Sequence, residues 1–371
     1  MNITHVVENL NRGGLERVVL DLVKLQQQQG HHCQVVCLFE RGTLAHELDD
    51  AGIPVHACGK RRGFDLKALS RVRRLIREHH TDVLHSHNAV AHYFAVLASL
   101  GLGVGKLVNT RHGMGGMQRW NRAEMLYRAS LARTDAVAMV CEAACNGAIE
   151  HGLVPRRKLR VVPNGLRVQE FVVTSPAARE RLHQTLGLAP QTRLVGTVGR
   201  LNWAKDQAGL IRAFRHVHEQ LPDSALVLIG DGGLRPELEA CARNEGLAGA
   251  VHFLGDRNDV RELLQGLDVF VLSSVSEGYS MALLEASATA LAIVATDVGG
   301  NREIVQHGVT GTIVPARDVD ALAQAILGLL RNPEHAARLG SAARAMMETR
   351  GSLEAMAARY VALYEARGPV A

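Results

Sequence analysis

Apolar positions fall into two alternating patterns. Short apolar runs such as ITHVV (3–7), QVVCLF (34–39) and DVFVLSS (268–274) read as strands buried on both faces. Between them lie stretches with apolar residues three and four apart, such as LERVVLDLVKL (15–25) and DLKALSRVRRLI (65–76), which read as amphipathic helices. Strand and helix alternate through IPVHACG, TDVLHSHN, KLVNTRHG, AVAMVCE and LRVVPNG. A turn-rich, sparsely apolar stretch follows at 162–178, and the alternation restarts with TRLVGTVGRL, SALVLIGDG, HFLG, DVFVLSS, AIVATD and GTIVP. Helical stretches at about 319–330 and 334–366 close the chain. Strands separated by helices predict βαβ units and parallel sheets, here two doubly wound α/β domains in tandem.

At 371 residues the chain is too long for one comfortable core. The expected division is 1–168, 169–350, and a last segment, 351–371, returning to the first domain. No uncharged apolar run is long enough to span a bilayer, and MNITHVVENL lacks a signal peptide's basic start and apolar core. The six cysteines form no CxxC pair and read as free thiols of a reducing cytoplasm. The net charge of +5 is unevenly shared: residues 1–165 hold 22 Lys and Arg against 14 Asp and Glu, and 12 of the 18 His. A basic first half and a slightly acidic second half predict different partners for the two. Lys60, Arg61 and Arg62, with Arg71, Arg73, Arg74 and Arg77, surround a helix whose apolar face is Ala68, Leu69, Val72, Leu75 and Ile76. Such a face suits an anionic membrane surface. No aromatic interleaving or motif points to nucleic acid.

Three places carry candidate chemistry. In SEGYSMALLE (276–285), Glu277 stands at a strand-to-helix corner and Glu285 inside the following helix. Helical spacing would set them about 80° and roughly 12 Å apart, too far to share a proton or metal but suited to two parts of one extended ligand. The helix start, Ser280 to Leu283, offers amides and a dipole to an anion. Arg200 and Lys205 sit just past the strand TRLVGTVGRL, where two cations can close on a diphosphate. Gly13 and Gly14 follow the first strand and open a helix, allowing close ligand approach.

Other matches are weaker. GLGVGKL (101–107) has the wrong spacing for a phosphate loop and reads as a helix-to-strand turn. Asp318 and Asp320 mimic a metal-binding pair but precede an apolar helix, as a cap would. His85 and His87 share one strand face without a third ligand for zinc.

Together RGGLERVV, TDVLHSHN, NTRHG, VVPNG, VGRLNWAKD, LVLIGDGGLRPELE, VHFLGDRNDV, SEGYSMALLEA, ATDVGGNREIV and HGVTGTIVP stand in one order along nearly the whole chain. In this the sequence resembles the family 4 retaining glycosyltransferases of the GT-B fold, two Rossmann-like domains with a cleft between them. The resemblance implies hexose transfer from a UDP- or GDP-linked sugar to an acceptor hydroxyl, with retention, in surface-glycan, exopolysaccharide or glycolipid synthesis. It implies that Arg200 and Lys205 hold the donor diphosphate, that Glu277 contacts the sugar and that Glu285 binds the ribose. Gly278, Tyr279, Ser280, Met281, Ala282 and Leu283 then line the phosphates, and Gly13 and Gly14 admit the donor. His112 is the active-site histidine, and His87, Arg111 and Trp120 lie on the acceptor side. No metal is expected, because cationic side chains hold the diphosphate, and the expected location is cytoplasmic, at the inner face of the membrane. The sequence departs from the family at Ala290 and Ala292, commonly Gly and Pro, and at Tyr279 and Ser280, commonly Phe and Gly. Alternatives are an epimerase or hydrolase of the same fold, or a silent nucleotide-sugar-binding protein.

Overall fold

The computed structural model describes residues 1–113, 122–173 and 175–366. The chain divides into two units, one of Met1–Leu166 with the chain from Leu353 onward, the other of Arg167–Ser352.

The first unit is a seven-stranded sheet: β1 (Asn2–Val7), β2 (His32–Cys37), β3 (Val55–Ala57), β4 (Val83–His87), β5 (Lys106–Arg111), β6 (Ala136–Met139) and β7 (Leu159–Val161). Its order is β3-β2-β1-β4-β5-β6-β7, and every pairing is parallel. The second is six-stranded: β8 (Arg193–Val198), β9 (Ser224–Ile229), β10 (Val251–Gly255), β11 (Val269–Leu272), β12 (Ala292–Thr296) and β13 (Thr312–Val314), in the order β10-β9-β8-β11-β12-β13, again parallel. Both are doubly wound, as the GT-B fold requires. Each chain path reverses direction once, between β1 and β4 and between β8 and β11, and ligands of such sheets bind at the carboxyl ends beside that reversal.

Burial explains the strand sequences. β6, β9, β11 and β12 are buried throughout, so a largely apolar run serves them where alternation would not. The basic helix Leu66–Glu78 buries Ala68, Val72 and Ile76 and is capped by Asp65, which accepts from the amides of Lys67 and Ala68 at 3.0 and 3.1 Å. Asp318 likewise caps Val319–Arg331 by accepting from Ala321 N at 2.9 Å, so the metal-like pair is a helix start. The six cysteines are free thiols, five of them buried.

Three elements differ from expectation. The sparse stretch at 162–178 runs into a helix, Pro176–Leu186, with Ser175 as cap, Pro at its first turn and left-handed Gly187 at its end. The last helical stretch is two helices, Pro333–Arg350 and Leu353–Glu365, broken at Gly351 and Ser352. Leu353 N there bonds Leu166 O at 2.9 Å, and the last helix packs on Gly14–Gln28 in the first unit. The helix expected over 117–134 is described as Arg122–Ser130 followed by a turn of 3₁₀ helix; Trp120 lies outside the described residues.

Candidate active site

In the second unit the loops after β8 and β11 meet at the reversal point. After β8 the chain makes a single 3₁₀ turn, Trp203–Lys205, and Asp206, in the left-handed region at φ 46°, caps the helix Gln207–Gln220. After β11, Ser273 Oγ donates to the carbonyls of Lys205 and Asp206 at 2.9 and 3.1 Å, and Val275 N donates to Ala204 O at 2.8 Å. These bonds fix the two loops together and bring Lys205 Nζ to 2.5 Å from Glu277 Oε1. The same oxygen accepts from Ser274 Oγ at 2.6 Å. Gly299, at φ 51°, lies so close beneath that a Cβ there would stand 2.0 Å from Glu277 O.

Lys205, placed by sequence on the diphosphate, is thus ion-paired with the carboxylate placed on the sugar. Arg200, five residues earlier, is exposed and has no ion pair among the described residues; its carbonyl accepts from Gln207 Nε2 at 3.0 Å. The helix is Met281–Ala288, so Glu277 stands four residues before it and the helical separation calculated for Glu277 and Glu285 does not apply. Ser280 is the cap, its Oγ accepting from Leu283 N at 3.5 Å; the first-turn amides of Met281 and Ala282 have no acceptor within the helix. Gly278 O accepts from Gly300 N at 2.9 Å, Tyr279 is half-buried beside it, and Glu285 is half-buried on the helix.

The first unit carries a different constellation. Gly13 caps the helix Gly14–Gln28 in extended backbone, and a Cβ there would stand 2.3 Å from Glu16 Oε2, so the helix's own carboxylate lies over its start. At the reversal point, β1 and β4 pair His5 with His85 in register, which brings the third histidine that the sequence reading lacked. His5, His85 and His87 lie with ring nitrogens within 4.8 Å of one another. Every ring nitrogen of the three already has a partner. His5 bonds Gln26 Oε1 at 2.8 Å and His87 Nε2 at 3.1 Å; His85 bonds Tyr364 OH at 2.7 Å and Thr110 Oγ1 at 2.8 Å; His87 Nδ1 meets His112 Nε2 at 3.0 Å. The trio is a hydrogen-bonded cluster whose lone pairs and protons are committed to one another. Burial lowers His5 to about 4 and His112 to about 3, and holds His85 and His87 well below the ordinary histidine value. All four are neutral at pH 7. Among the described residues His112 Nδ1 is enclosed and has no hydrogen-bond partner, and its backbone N–H reaches Asn88 Oδ1 at 3.3 Å.

Arg111, expected on the acceptor side, is turned inward. Its guanidinium lies 3.3 and 3.4 Å from the carboxylate of Glu124 and 4.7 Å from the centre of the Tyr127 ring, and both charged side chains are 8% exposed. Sequence reasoning also missed Ser274, Gln26 and Tyr364. Only Ser274 carried a signal, standing at the end of a predicted strand.

The family described as Glycosyltransferase Family 4 matches residues 12–170, and that described as Glycosyl transferases group 1 matches residues 178–346. An Escherichia coli protein named UDP-Gal:alpha-D-GlcNAc-diphosphoundecaprenol alpha-1,3-galactosyltransferase is 26% identical over 344 residues, 88% of this chain and 87% of its own. A GDP-mannose-dependent alpha-(1-6)-phosphatidylinositol monomannoside mannosyltransferase of Mycolicibacterium smegmatis is 30% identical over 298 residues, 74% of each. Among solved structures, Anabaena HepE in complex with UDP superposes with a TM-score of 0.86 at 23% identity, over 97% of this chain and 98% of that one. WaaG, a glycosyltransferase of lipopolysaccharide biosynthesis, does so with a TM-score of 0.75 at 18% identity, over 98% of this chain and 100% of its own. These two carry the fold.

Proposed function

Because the chain belongs to glycosyltransferase family 4 and is a retaining glycosyltransferase, we propose that it transfers a hexose from a UDP- or GDP-linked sugar to a hydroxyl of a glycan or lipid-linked acceptor. The observation that carries this reading is the Lys205–Glu277 pair at the reversal point of the second sheet, flanked by the unpaired Arg200. In this reading the second unit binds the donor. Its diphosphate replaces the carboxylate as partner of Lys205, Arg200 takes the other side, and the amides of Met281 and Ala282 face the phosphates. Glu277, released, accepts hydrogen bonds from sugar hydroxyls, and Glu285 accepts them from the ribose.

As the glycosidic bond breaks, negative charge grows on the diphosphate while the sugar becomes oxocarbenium-like. Arg200, Lys205 and the helix start stabilise that charge in place, without a metal. The acceptor proton passes to the leaving phosphate, and His112, neutral, contacts the sugar. The first unit takes the acceptor. The E. coli and M. smegmatis relatives are named for different donor nucleotides and for lipid-linked acceptors, which supports a lipid-linked acceptor and leaves the nucleotide to experiment. A membrane surface fits the same unit: Phe64 and Leu66 are 55% and 70% exposed beside exposed Arg61, Arg62 and Lys67. Among the described residues no helix is long and apolar enough to cross a membrane, so the attachment would be peripheral.

The test is a melting panel with UDP, GDP, ADP, CMP and dTDP on wild type and Glu285→Gln. A nucleotide at 100 times its Kd adds about 2.7 kcal/mol, a shift of a few degrees. One nucleotide stabilising wild type but not the variant is the expected result; no shift with any nucleotide overturns the donor assignment. Sedimentation with anionic but not neutral vesicles, lost in Arg61→Glu/Arg62→Glu, tests the surface.

A further inference from the structure

The last helix, Leu353–Glu365, closes a continuous chain of polar groups that ends on His112. The protons along it can be assigned one by one. Gln26 Nε2 donates to Tyr364 OH at 3.2 Å, which turns Gln26 Oε1 toward His5, and that oxygen accepts from His5 Nε2–H at 2.8 Å. A neutral imidazole carries a single N–H, so His5 Nδ1 is a lone pair and accepts from His87 Nε2–H at 3.1 Å. By the same step His87 Nδ1 accepts from His112 Nε2–H at 3.0 Å. His112 Nδ1 is left as an enclosed lone pair with no donor.

A second branch holds the sense of the first. Tyr364 OH, already accepting from Gln26, donates to His85 Nδ1 at 2.7 Å. His85 Nε2–H then donates to Thr110 Oγ1 at 2.8 Å, and Thr110 lies 3.0 Å from Tyr360 OH. Turning the Gln26 amide over would reverse the proton on every group in both branches. It would also leave His112 with an enclosed N–H lacking an acceptor, the rarer and costlier of the two orphans.

We propose that Tyr364, Gln26, His5 and His87 are positioning residues that hold His112 as the Nε2–H tautomer, so that its Nδ1 accepts a hydrogen bond from a hydroxyl of the bound hexose. This rests on the reading of His112 as a contact of the donor sugar. A donor whose hydroxyl at that place is replaced by hydrogen or fluorine cannot supply the proton, so the wiring makes this position a specificity filter.

The test uses the full chain labelled with ¹⁵N in its histidines, and correlations from ring protons to ring nitrogens. In wild type, His112 should show a protonated Nε2 and a bare Nδ1. In Gln26→Leu the two tautomers should mix, and kcat/KM should fall about tenfold, mostly in kcat, with nucleotide affinity within about twofold of wild type. Tyr364→Phe repeats the test if Gln26→Leu does not fold. His87→Asn, which keeps an acceptor near the Nδ1 position, should recover most of the activity that His87→Phe loses. Among monodeoxy donors, one should lose about tenfold with wild type and nothing further with His87→Phe. A protonated Nδ1 in an active wild-type enzyme, or an unchanged tautomer in Gln26→Leu, overturns the wiring alone. A bare Nδ1 in a chain that transfers hexose from no nucleotide sugar overturns the functional reading, and the hydroxyl contact with it.

Discussion

The two units handle polar chemistry in opposite ways at equivalent places in the same topology. At the reversal point of the seven-stranded sheet the converging groups are enclosed, neutral imidazoles bonded to one another. At that of the six-stranded sheet they are a lysine and a glutamate, side chains 21% and 10% exposed, with the exposed Arg200 five residues before the lysine. A neutral network has no net attraction for a diphosphate, but it can fix the direction of a hydrogen bond. A charged pair fixes no direction, but it exchanges one anion for another. In the proposed reading the first unit orients a ligand and the second neutralises it.

Acid should separate the units most. Folded His5 and His112 take up a proton only near 4 and 3, while the unfolded chain does so near 6.5. Below 6.5 the unfolded state therefore binds more protons, so the stability these residues contribute is complete above that pH and is lost as pH falls toward 4. His85, His87 and His92 add in the same direction; in the second unit His252 is the one histidine so shifted among the described residues. Calorimetry at pH 7.5 and pH 5 should show one transition moving down strongly and the other nearly still. Transitions that move together would erase the contrast.

On the charged side, Lys205→Ala should lower kcat about 10²- to 10³-fold, the usual cost of losing a group that stabilises transition-state charge. Nucleotide binding should weaken as well. The variant leaves a carboxylate that is 10% exposed with Ser274 Oγ as its bonded partner, so some stability should also be lost. A large loss of stability with unchanged kcat would make the pair structural and remove the difference between the units.

The buried pair Arg111–Glu124 is a charged exception in the unit that holds the neutral network, and it sharpens the comparison. Arg111→Met should lower the melting temperature, because it takes a cation 3.3 Å away from a carboxylate that is 8% exposed. Arg111→Met/Glu124→Leu should recover most of that stability and leave acceptor turnover intact. If the double variant is stable but inactive, Arg111 contacts the acceptor as the sequence reading held.

The sequence displayed the charged site far better than the neutral one, for a physical reason. Each charged residue lies in the loop that follows its own strand: Lys205 is seven residues past the end of β8 at Val198, and Glu277 is five past the end of β11 at Leu272. Each could be placed from strand ends and helix starts alone. The imidazole network joins His5, Gln26, His87, His112 and Tyr364, spread across the whole length of the chain. Only strand register and the return of the last helix bring them together, and neither can be read from local periodicity. His85 and His87 were legible as neighbours because a strand repeats every two residues; His5 was not, because its partner is set by pairing between strands. The helix Pro176–Leu186 was legible from Ser175, Pro176 and Gly187 but begins inside the sparsely apolar stretch at 162–178.

The smallest expected effect concerns the end of the helix that carries Glu285. Helix Met281–Ala288 stops in a tight turn: Ala290 N bonds Ser287 O at 3.0 Å and Leu291 N bonds Ala286 O at 3.1 Å. This closure places Ala290 in the left-handed region at φ 60°, where glycine is the usual residue. The turn has no room to relax, because a Cβ on Gly340 of the neighbouring helix would stand 2.0 Å from Ala290 O. The helix therefore ends where a glycine would end it, and the alanine bears the strain. A left-handed alanine costs about 1–2 kcal/mol, and glycine's greater freedom in the unfolded chain returns up to ~1 kcal/mol of that. Ala290→Gly should stabilise the second unit by about 0.5–1 kcal/mol, visible in denaturant unfolding as a raised midpoint with unchanged slope. Nucleotide affinity should stay the same, because the change lies five residues past Glu285, at the far end of the helix from the proposed phosphate contacts. Any gain in nucleotide affinity would mean that strain at the helix end reaches the donor site, and that the charged site, like the neutral one, is positioned from a distance.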